Sequence, residues 1–292
     1  MILPGIQYLL SSQNNDGGWG YFPNQTSSVE PTSCVVLVLK EQEKLRDFHS
    51  QAIEWLINAQ NNDGGWGINR LDNKSGWQTA WALISLAGSS ANPEFIKSAT
   101  DWLQNFGLKF LEENETLDTI RKHFNIDTNL YGWPWQSGEA AWIEPTALSL
   151  LALNSVEMDP QHHERIQEAI LYLDDRRCRD GGWNFGNPVM FNKDLPPRTY
   201  HTSLSILALS RISPNIIQGE DISTLNELLE VEGRPLGIAL GILALKALNQ
   251  DTSILENKLV AMQKSDGSWE GNIYFSAMSL LALSPDMKIF TY

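Results

Sequence analysis

Two kinds of apolar pattern alternate along this chain, and each is typical of a different kind of helix. In the first, apolar residues recur three and four positions apart among polar ones, as at Ile53, Leu56 and Ile57, which gives the helix one apolar face. In the second, almost every residue is uncharged, as in residues 147–153, and such a helix must be covered on all sides. The alternation predicts amphipathic outer helices paired with buried inner helices.

Six such helix pairs can be counted. The predicted outer helices span residues 4–12, 48–60, 95–106, 164–177, 223–231 and 251–263, and the predicted inner helices span residues 31–40, 78–87, 145–153, 201–209, 236–248 and 275–283. Asp-Gly turns end several outer helices, because Gly accepts the left-handed conformation of a helix C-cap. A polar insertion at residues 108–130 is predicted to be loop-like, and it is a candidate lid or partner contact.

The turns between paired helices carry a sequence repeat. QNNDGGWG occurs at residues 13–20 and again, unchanged, at residues 60–67. The 47 residues from Trp19 to Trp66 are a period at which each repeat is one supersecondary unit that cannot bury its apolar face alone. The repeat therefore predicts an array of helical hairpins.

The apolar character of the inner helices predicts that the array closes into a ring. An open array would expose the apolar inner helices at both ends, and neither end has a charged capping helix. The sequence therefore predicts an all-α fold, an α6/α6 toroid (barrel) that forms a single domain over residues 1–292. In such a toroid the inner helices are parallel, and their N-termini gather at one rim.

Composition narrows the classes of partner. The chain has 35 acidic and 21 basic residues, a net charge of -14 at pH 7, which repels nucleic acid and anionic lipid surfaces. We therefore expect no nucleic acid partner. Cys34 and Cys178 form neither a disulfide framework nor a zinc-finger spacing. Together with the lack of a signal-like or membrane-spanning stretch, this predicts a cytoplasmic protein with reduced thiols.

The turn sequences resemble the QW motif of the squalene-hopene and oxidosqualene cyclases. More broadly they resemble the prenyltransferase and squalene-oxidase repeat, which protein prenyltransferase β subunits share. In that family Gln and Trp staple neighbouring hairpins together, and the resemblance implies a single α6/α6 barrel domain. The Gln-Trp pairs are Gln13/Trp19, Gln60/Trp66 and Gln263/Trp269, with Asp127 and Arg177 in place of Gln before Trp133 and Trp183.

Class II terpene cyclisation is the first function that the resemblance implies. In that family an Asp-x-Asp-Asp-Thr sequence starts an inner helix, and its middle Asp gives a proton to an alkene or epoxide. Glu144 and Glu30, each before Pro-Thr, hold the middle position here and are the candidate catalytic residues. The flanking acids are absent, because Trp142 or Ser28 holds the first position and proline the last. The structure must therefore supply other neighbours that set the acid strength.

Glu-Pro-Thr also has a purely structural interpretation. Acidic residues and proline both suit the first turn of a helix, so the tripeptide would simply start an inner helix. The tripeptide occurs twice, whereas one toroid has one cavity and needs one proton donor, so its repetition favours the structural interpretation. As donor, Glu144 is preferred to Glu30 because it follows an aromatic-rich segment at residues 131–142.

Aromatic residues at or near the inner-helix starts would suit a carbocation, because aromatic faces attract cations. Tryptophan at a helix crossing also serves packing alone. The candidate substrate-binding residues are Trp77, Trp81, Trp135, Trp142, Tyr200, His201 and Tyr274.

A zinc-dependent prenyltransferase is a second function within the superfamily. Tyr200-His201-Thr202 resembles the segment of protein prenyltransferase β subunits in which His is a zinc ligand. Those subunits also need an Asp-x-Cys pair, which is absent here. One ligand of three does not make a zinc site, so we expect no metal and no cofactor.

Toroids without catalysis, which carry a hydrophobic ligand or a protein partner, are the third alternative. Triterpene cyclases enclose their chamber between two barrel domains, whereas this chain has sequence for one. A glycoside hydrolase or lyase with two carboxylates across a cleft is a more remote alternative. The favoured hypothesis is a terpene-cyclase-like isomerase or lyase acting on an isoprenoid ligand. A peripheral membrane contact that supplies the ligand, and a protein partner that completes the site, stay open.

Overall fold

The computed structural model describes residues 2–40, 42–89, 91, 93–107, 115–161 and 163–285. The described residues are mainly helical, as the sequence predicts. In chain order the helices are α1 (Ile2–Ser11), α2 (Val29–Leu39), α3 (Arg46–Asn58), α4 (Gln78–Leu86), α5 (Pro93–Asn105), α6 (Glu115–Phe124), α7 (Ile143–Ser155), α8 (Glu164–Asp175), α9 (Thr199–Ile212), α10 (Gly219–Val231), α11 (Pro235–Ala247), α12 (Ser253–Ala261) and α13 (Ile273–Leu283).

The helices form the six predicted hairpins. The inner helices are α2, α4, α7, α9, α11 and α13, and almost all their residues are buried. The outer helices α1, α3, α5, α8, α10 and α12 bury only one side. The division follows the two apolar patterns, because a helix with few polar residues has no side that water can cover.

The inner helices close into a toroid. Each inner helix packs against the next, and the last, α13, packs against the first, α2. At four of the six joints a backbone N–H at the start of an inner helix donates to a carbonyl in the turn of the next hairpin. These bonds are Val29 to Ile68 (2.9 Å), Trp77 to Trp135 (3.2 Å), Ile143 to Phe185 (3.0 Å) and, across the closing joint, Ile273 to Tyr21 (2.8 Å). The predicted α6/α6 toroid is confirmed.

The repeated tryptophan joins the two helices of its own hairpin. In the second hairpin the Trp66 backbone N–H donates to Thr79 Oγ1 at 2.9 Å, and Trp66 Nε1 donates to the Leu56 carbonyl at 2.8 Å. The second bond satisfies a carbonyl that the end of α3 leaves open. The same two bonds recur at Trp19, Trp133, Trp183 and Trp269.

Glutamine acts mainly within the turn, which corrects part of the expected staple. Gln60 Nε2 donates to the Gly64 carbonyl at 2.8 Å and also to the Phe95 carbonyl of the next hairpin at 3.1 Å. The described bonds of Gln13 and Gln263 stay inside their own turns. Gly64 itself has a φ of +93°, and a Cβ there would lie 2.6 Å from the Ser98 carbonyl oxygen, so the turn requires glycine.

Before Trp183, where glutamine is missing, Arg177 takes over the joining role. Arg177 Nε donates to Asp221 Oδ1 of α10 at 3.0 Å, and an Nη donates to the Ile216 carbonyl at 2.8 Å. Asp221 is fully buried and also accepts from the Gly182 N–H at 2.8 Å. The fourth and fifth hairpins are therefore joined by an ion pair that is shielded from water.

The insertion departs from the loop that the sequence predicts. Its residues 115–124 form α6, and residues 108–114 lie outside the described residues. Leu117, Ile120 and Phe124 are three and four positions apart, which is a helical spacing. Two short hairpins, β1 (Trp133–Pro134) with β2 (Ala141–Trp142) and β3 (Val189–Met190) with β4 (Lys193–Asp194), were also not predicted. Across the described chain, no helix combines the length and apolar character that a membrane span requires.

Candidate functional site

The starts of the inner helices bring both candidate acids into one cluster. Glu30 is in the first turn of α2 and Glu144 is in the first turn of α7. The helices α2, α4 and α7 are consecutive around the toroid. The two carboxyl groups are therefore close enough for negative charge on Glu30 to raise the pKa of Glu144. Each carboxyl accepts its described side-chain hydrogen bond from a tyrosine, and neither caps its own helix.

Glu30 lies at the buried centre of this cluster. The residue is 6% exposed, and Tyr21 Oη donates to its Oε2 at 2.5 Å. Burial raises the pKa of Glu30 to about 7, and the nearby donor groups of Tyr21, Trp81 and Tyr274 partly oppose that rise. Trp81 Nε1 and Tyr274 Oη approach the carboxyl, but among the described residues neither makes a hydrogen bond of regular geometry. Glu30 therefore has several donors that favour its ionised form.

Glu144 is better placed to hold a proton. Tyr200 Oη donates to its Oε1 at 2.7 Å. Burial raises the pKa of Glu144 to about 8, the Tyr200 bond partly opposes the rise, and negative charge on Glu30 adds to it. The residue as a whole is only partly buried. Burial and negative charge on Glu30 therefore both favour the protonated form of Glu144.

Aromatic side chains surround the two acids. The Tyr274 ring meets the Trp81 ring edge-on at 6.1 Å and the Tyr21 ring edge-on at 6.4 Å. Trp77 and Trp135 form a second edge-to-face pair at 5.1 Å, and both are half-buried at the start of α4. Three of the seven predicted substrate-binding residues, Trp81, Tyr200 and Tyr274, thus lie beside the two acids, whereas the described ring contact of Trp77 and Trp135 is with each other.

The structure places Trp142 elsewhere. Its side chain lines a pocket of about 1130 Å³ between α5, α6 and the β1–β2 hairpin, together with Trp102, Phe106 and Tyr172. Although Trp142 is only two positions from Glu144 in sequence, it is the last residue of β2 and Glu144 is already in α7. Sequence proximity alone was therefore a poor guide to this side chain.

His201 lies on the other side of Tyr200. It is 6% exposed, its ring is 5.4 Å from the Tyr200 ring and 4.4 Å from the Phe185 ring, and Nδ1 has no hydrogen-bond partner among the described residues. Burial lowers the pKa of His201 to about 4, and Arg198 adds to the effect. Among the described residues, no group of three or more His, Cys, Asp or Glu side chains is arranged to hold a metal ion.

Tyr21 and Phe185 belong to the site group but were not predicted. Each stands two positions after a turn tryptophan, the position that Ile68 and Trp135 hold in the other two joined turns. The backbone carbonyl at this position accepts the bond from the preceding inner helix. The repeat therefore contains a usable signal: the second residue after each turn tryptophan is carried to the rim.

Comparison with known proteins supports the same type of fold. Residues 1–132 match the family model of the squalene-hopene cyclase C-terminal domain, and no curated protein matches the chain in sequence. The structure of the type II terpene cyclase MstE from Scytonema is similar, with a TM-score of 0.66, 17% identity, and coverage of 99% of this chain and 97% of that one.

Two further structures are similar over most of their length. A variant of the Scytonema enzyme in complex with merosterolic acid A, its product, has a TM-score of 0.62, 18% identity, and coverage of 97% and 94%. The α-1,6-mannanase GH76A from Salegentibacter sp. HEL1_6 has a TM-score of 0.62, 11% identity, and coverage of 97% and 96%. At these identities the likeness establishes the fold alone. The chain thus resembles a single squalene-hopene cyclase-like domain, in a fold that glycoside hydrolases also use.

Proposed function

We propose that this chain is a class II terpene-cyclase-like isomerase, in which Glu144 protonates a linear isoprenoid and Glu30 is the neighbouring acid that sets its proton affinity. The observation that carries the proposal is the pair of carboxyl groups with raised pKa values, enclosed by Tyr21, Trp81, Tyr200 and Tyr274.

The reaction needs no external oxidant or reductant. The O–H bond of Glu144 breaks, and a new C–H bond forms from the π electrons of a substrate double bond, or a new O–H bond forms at an epoxide. The resulting cation is attacked by the next double bond of the chain, which closes a carbocycle. Loss of a proton from the final cation restores a double bond, so that the product is an isomer of the substrate.

A buried acid with a raised pKa is suited to this task despite its weak ionisation in the empty protein. Its pKa is raised mainly because burial removes part of the water that would stabilise the carboxylate. When the proton moves to the substrate, the new cation becomes a counterion for the carboxylate. The burial that holds the proton on Glu144 in the resting protein therefore stabilises the ion pair formed in the reaction.

The surrounding aromatic residues support a cationic intermediate. Trp81 and Tyr274 contact each other beside Glu30, and Trp77 and Trp135 form the second pair. An aromatic face within about 6 Å of a cation contributes roughly 0.5 to 2 kcal/mol, most where water is excluded. The match of residues 1–132 to the squalene-hopene cyclase C-terminal domain favours a hydrocarbon substrate over a saccharide. The proposal therefore assigns a hydrocarbon chain, as in a terpene cyclase, in preference to the sugar of a mannanase.

The test supplies linear isoprenoids of increasing length to the protein in heavy water and measures their turnover. Each isoprenoid is supplied both as the plain alkene and as the terminal epoxide. From the plain alkene, wild-type protein should release a cyclic isomer with one solvent-derived deuterium on carbon, whereas the epoxide should give an isomeric cyclic alcohol whose hydroxyl deuterium exchanges with water. Glu144→Gln should reduce product at least ~100-fold, the usual contribution of a general acid, while Glu54→Gln, an exposed outer-helix change, should have no effect.

Two outcomes would contradict the proposal. Full activity in Glu144→Gln would remove that residue from the reaction. Tight binding of an isoprenoid by the wild type, with no product from any member of the series, would instead support the non-catalytic hydrophobic-ligand toroid.

A further inference from the structure

We propose that the pocket between α5, α6 and the β1–β2 hairpin binds a large, mainly apolar molecule whose polar end donates hydrogen bonds and carries no negative charge. The pocket has a volume of about 1130 Å³, and its described lining includes none of Glu30, Glu144, Tyr21 and Tyr200 of the acid cluster. The proposal therefore goes beyond the proposed function and does not depend on it. Its basis is two apolar walls and a set of charges that selects against anions.

One wall of the pocket is the apolar side of α6. Leu117, Ile120 and Phe124 recur at helical spacing, and all three line the pocket. The helix is held at its C-terminal end, where the Phe191 N–H donates to the His123 carbonyl at 3.0 Å and the Phe191 ring lies 6.5 Å from the Phe124 ring. The apolar side of a helix must be covered, and here part of the cover is a pocket in place of protein. An apolar ligand would complete it.

The second wall is aromatic and is fixed in place. Trp102 and Phe106 of α5 stack with their ring centroids 4.2 Å apart, and Trp102 Nε1 donates to Asp63 Oδ2 at 3.0 Å. Trp142 of β2 adds a further ring to the lining. Rings that are already ordered offer a large contact area at little conformational cost. Small-molecule pockets usually enclose about 300 to 1000 Å³, so this pocket has room for a large ligand.

The cation of the pocket is already paired. Arg176 is the only Lys, Arg or His among the described lining residues. It forms an ion pair with Asp175, and an Nη donates to the Asp127 carbonyl at 3.2 Å. The guanidinium also lies over the Tyr172 ring, 4.6 Å from its centroid. A carboxylate or phosphate on a ligand would have to displace Asp175 from this buried group, which disfavours an anionic head.

Two carboxylates add negative charge to the same pocket. Asp101 of α5 and Glu139 of the loop between β1 and β2 both line it, and both are exposed, so they lie toward its mouth. Carboxylate oxygens accept strong hydrogen bonds from a hydroxyl group, whereas they repel another anion. The apolar walls and these two acceptors together favour an apolar body that ends in an alcohol over one that ends in an acid.

The experiment is titration calorimetry with a linear isoprenoid alcohol and with the carboxylic acid of the same chain. The wild type should bind the alcohol with a negative heat-capacity change, the mark of apolar burial, and about tenfold or more tighter than the acid. Ile120→Glu places a charge on the apolar wall and should weaken alcohol binding by about tenfold or more. Thr119→Glu makes the same change of charge at the adjacent, exposed position of α6 and should leave binding unchanged. Circular dichroism checks that both variants fold.

A second variant tests the charges without altering the apolar walls. The double change Asp101→Asn and Glu139→Gln removes both carboxylates at exposed positions, where folding tolerates substitution. The variant should bind the acid more tightly than the wild type does, so that the preference for the alcohol becomes smaller. An unchanged preference would remove these carboxylates from ligand selection and overturn the proposed class of ligand.

Three other results would also overturn the proposal: no binding of the alcohol by the wild type, binding of the acid as tight as that of the alcohol, or equal affinities in Ile120→Glu and Thr119→Glu. The last result would place the bound alcohol elsewhere, for example at the acid cluster. None of these results bears on the proposed function, which turnover by the wild type and by Glu144→Gln tests separately.

Discussion

Replacement of Glu144 by glutamine should change stability in a direction that depends on pH. The pKa of this carboxyl is raised to about 8 in the folded protein, against an ordinary glutamate value of 4.5. The folded state therefore binds a proton that the unfolded chain has already lost. Stability supplied by the protonated carboxyl is fully present below the unfolded pKa and is lost as the pH rises to about 8.

The size of the effect follows from the two pKa values. At 1.36 kcal/mol for each pKa unit, ionisation of Glu144 costs the folded state on the order of 5 kcal/mol at alkaline pH. Glutamine is never ionised and keeps an oxygen that can accept the Tyr200 bond. At about pH 5 we expect the variant to be within ~1 kcal/mol of the wild type. At about pH 9 the variant should be more stable by several kcal/mol.

Urea unfolding at a series of pH values measures this difference, with Glu54→Gln as a control at an exposed position. Changes in denaturant midpoint at constant slope report stability alone. Parallel stability curves for the wild type and Glu144→Gln across the whole pH range would refute the reasoning, because they would show that Glu144 titrates normally in the folded protein.

Two further pairs of substitutions test how the toroid is held together. A Cβ at Gly267 would lie 2.2 Å from the Pro4 carbonyl oxygen of the first hairpin, whereas one at Gly271 would meet nothing within 4 Å, and both residues have positive φ angles. In thermal unfolding, Gly267→Ala should therefore lose far more stability than Gly271→Ala, which should lose about 1 kcal/mol, and equal losses would contradict the closing contact. Thr79→Val should cost about 1 to 3 kcal/mol because it leaves the buried Trp66 N–H without its acceptor, and Thr79→Ser, which keeps the hydroxyl, should cost less.

Local patterns were sufficient to predict the hairpins and their closure. The inner helices are buried because residues such as 147–153 offer no polar side to water, and the repeated turn fixes where each hairpin bends. The helix α6 was missed because its three apolar residues, Leu117, Ile120 and Phe124, are embedded in a strongly polar segment. Sequence composition there favoured a loop, although the spacing of those residues is helical.

The site was only partly predictable, for a physical reason. Glu30 and Glu144 were both recognised by their Pro-Thr context, but their interaction depends on how closely the toroid brings α2 and α7 together. Their pKa values depend on burial and on Tyr21 and Tyr200, which are contacts that no local pattern encodes. Trp142 lines a separate pocket because the short β1–β2 hairpin sets the direction of its side chain, and its role in substrate binding stays a prediction.

The protonation state of Glu144 at neutral pH tests the account most directly. Infrared difference spectra of the wild type and Glu144→Gln over a pH titration report whether a protonated carboxylic acid is present. The account predicts a carbonyl band of a protonated carboxyl that persists through neutral pH, disappears at about pH 8, and is absent from the variant. A band that vanishes near the ordinary glutamate pKa of 4.5 would contradict the claim that the toroid holds a proton there for transfer to a substrate.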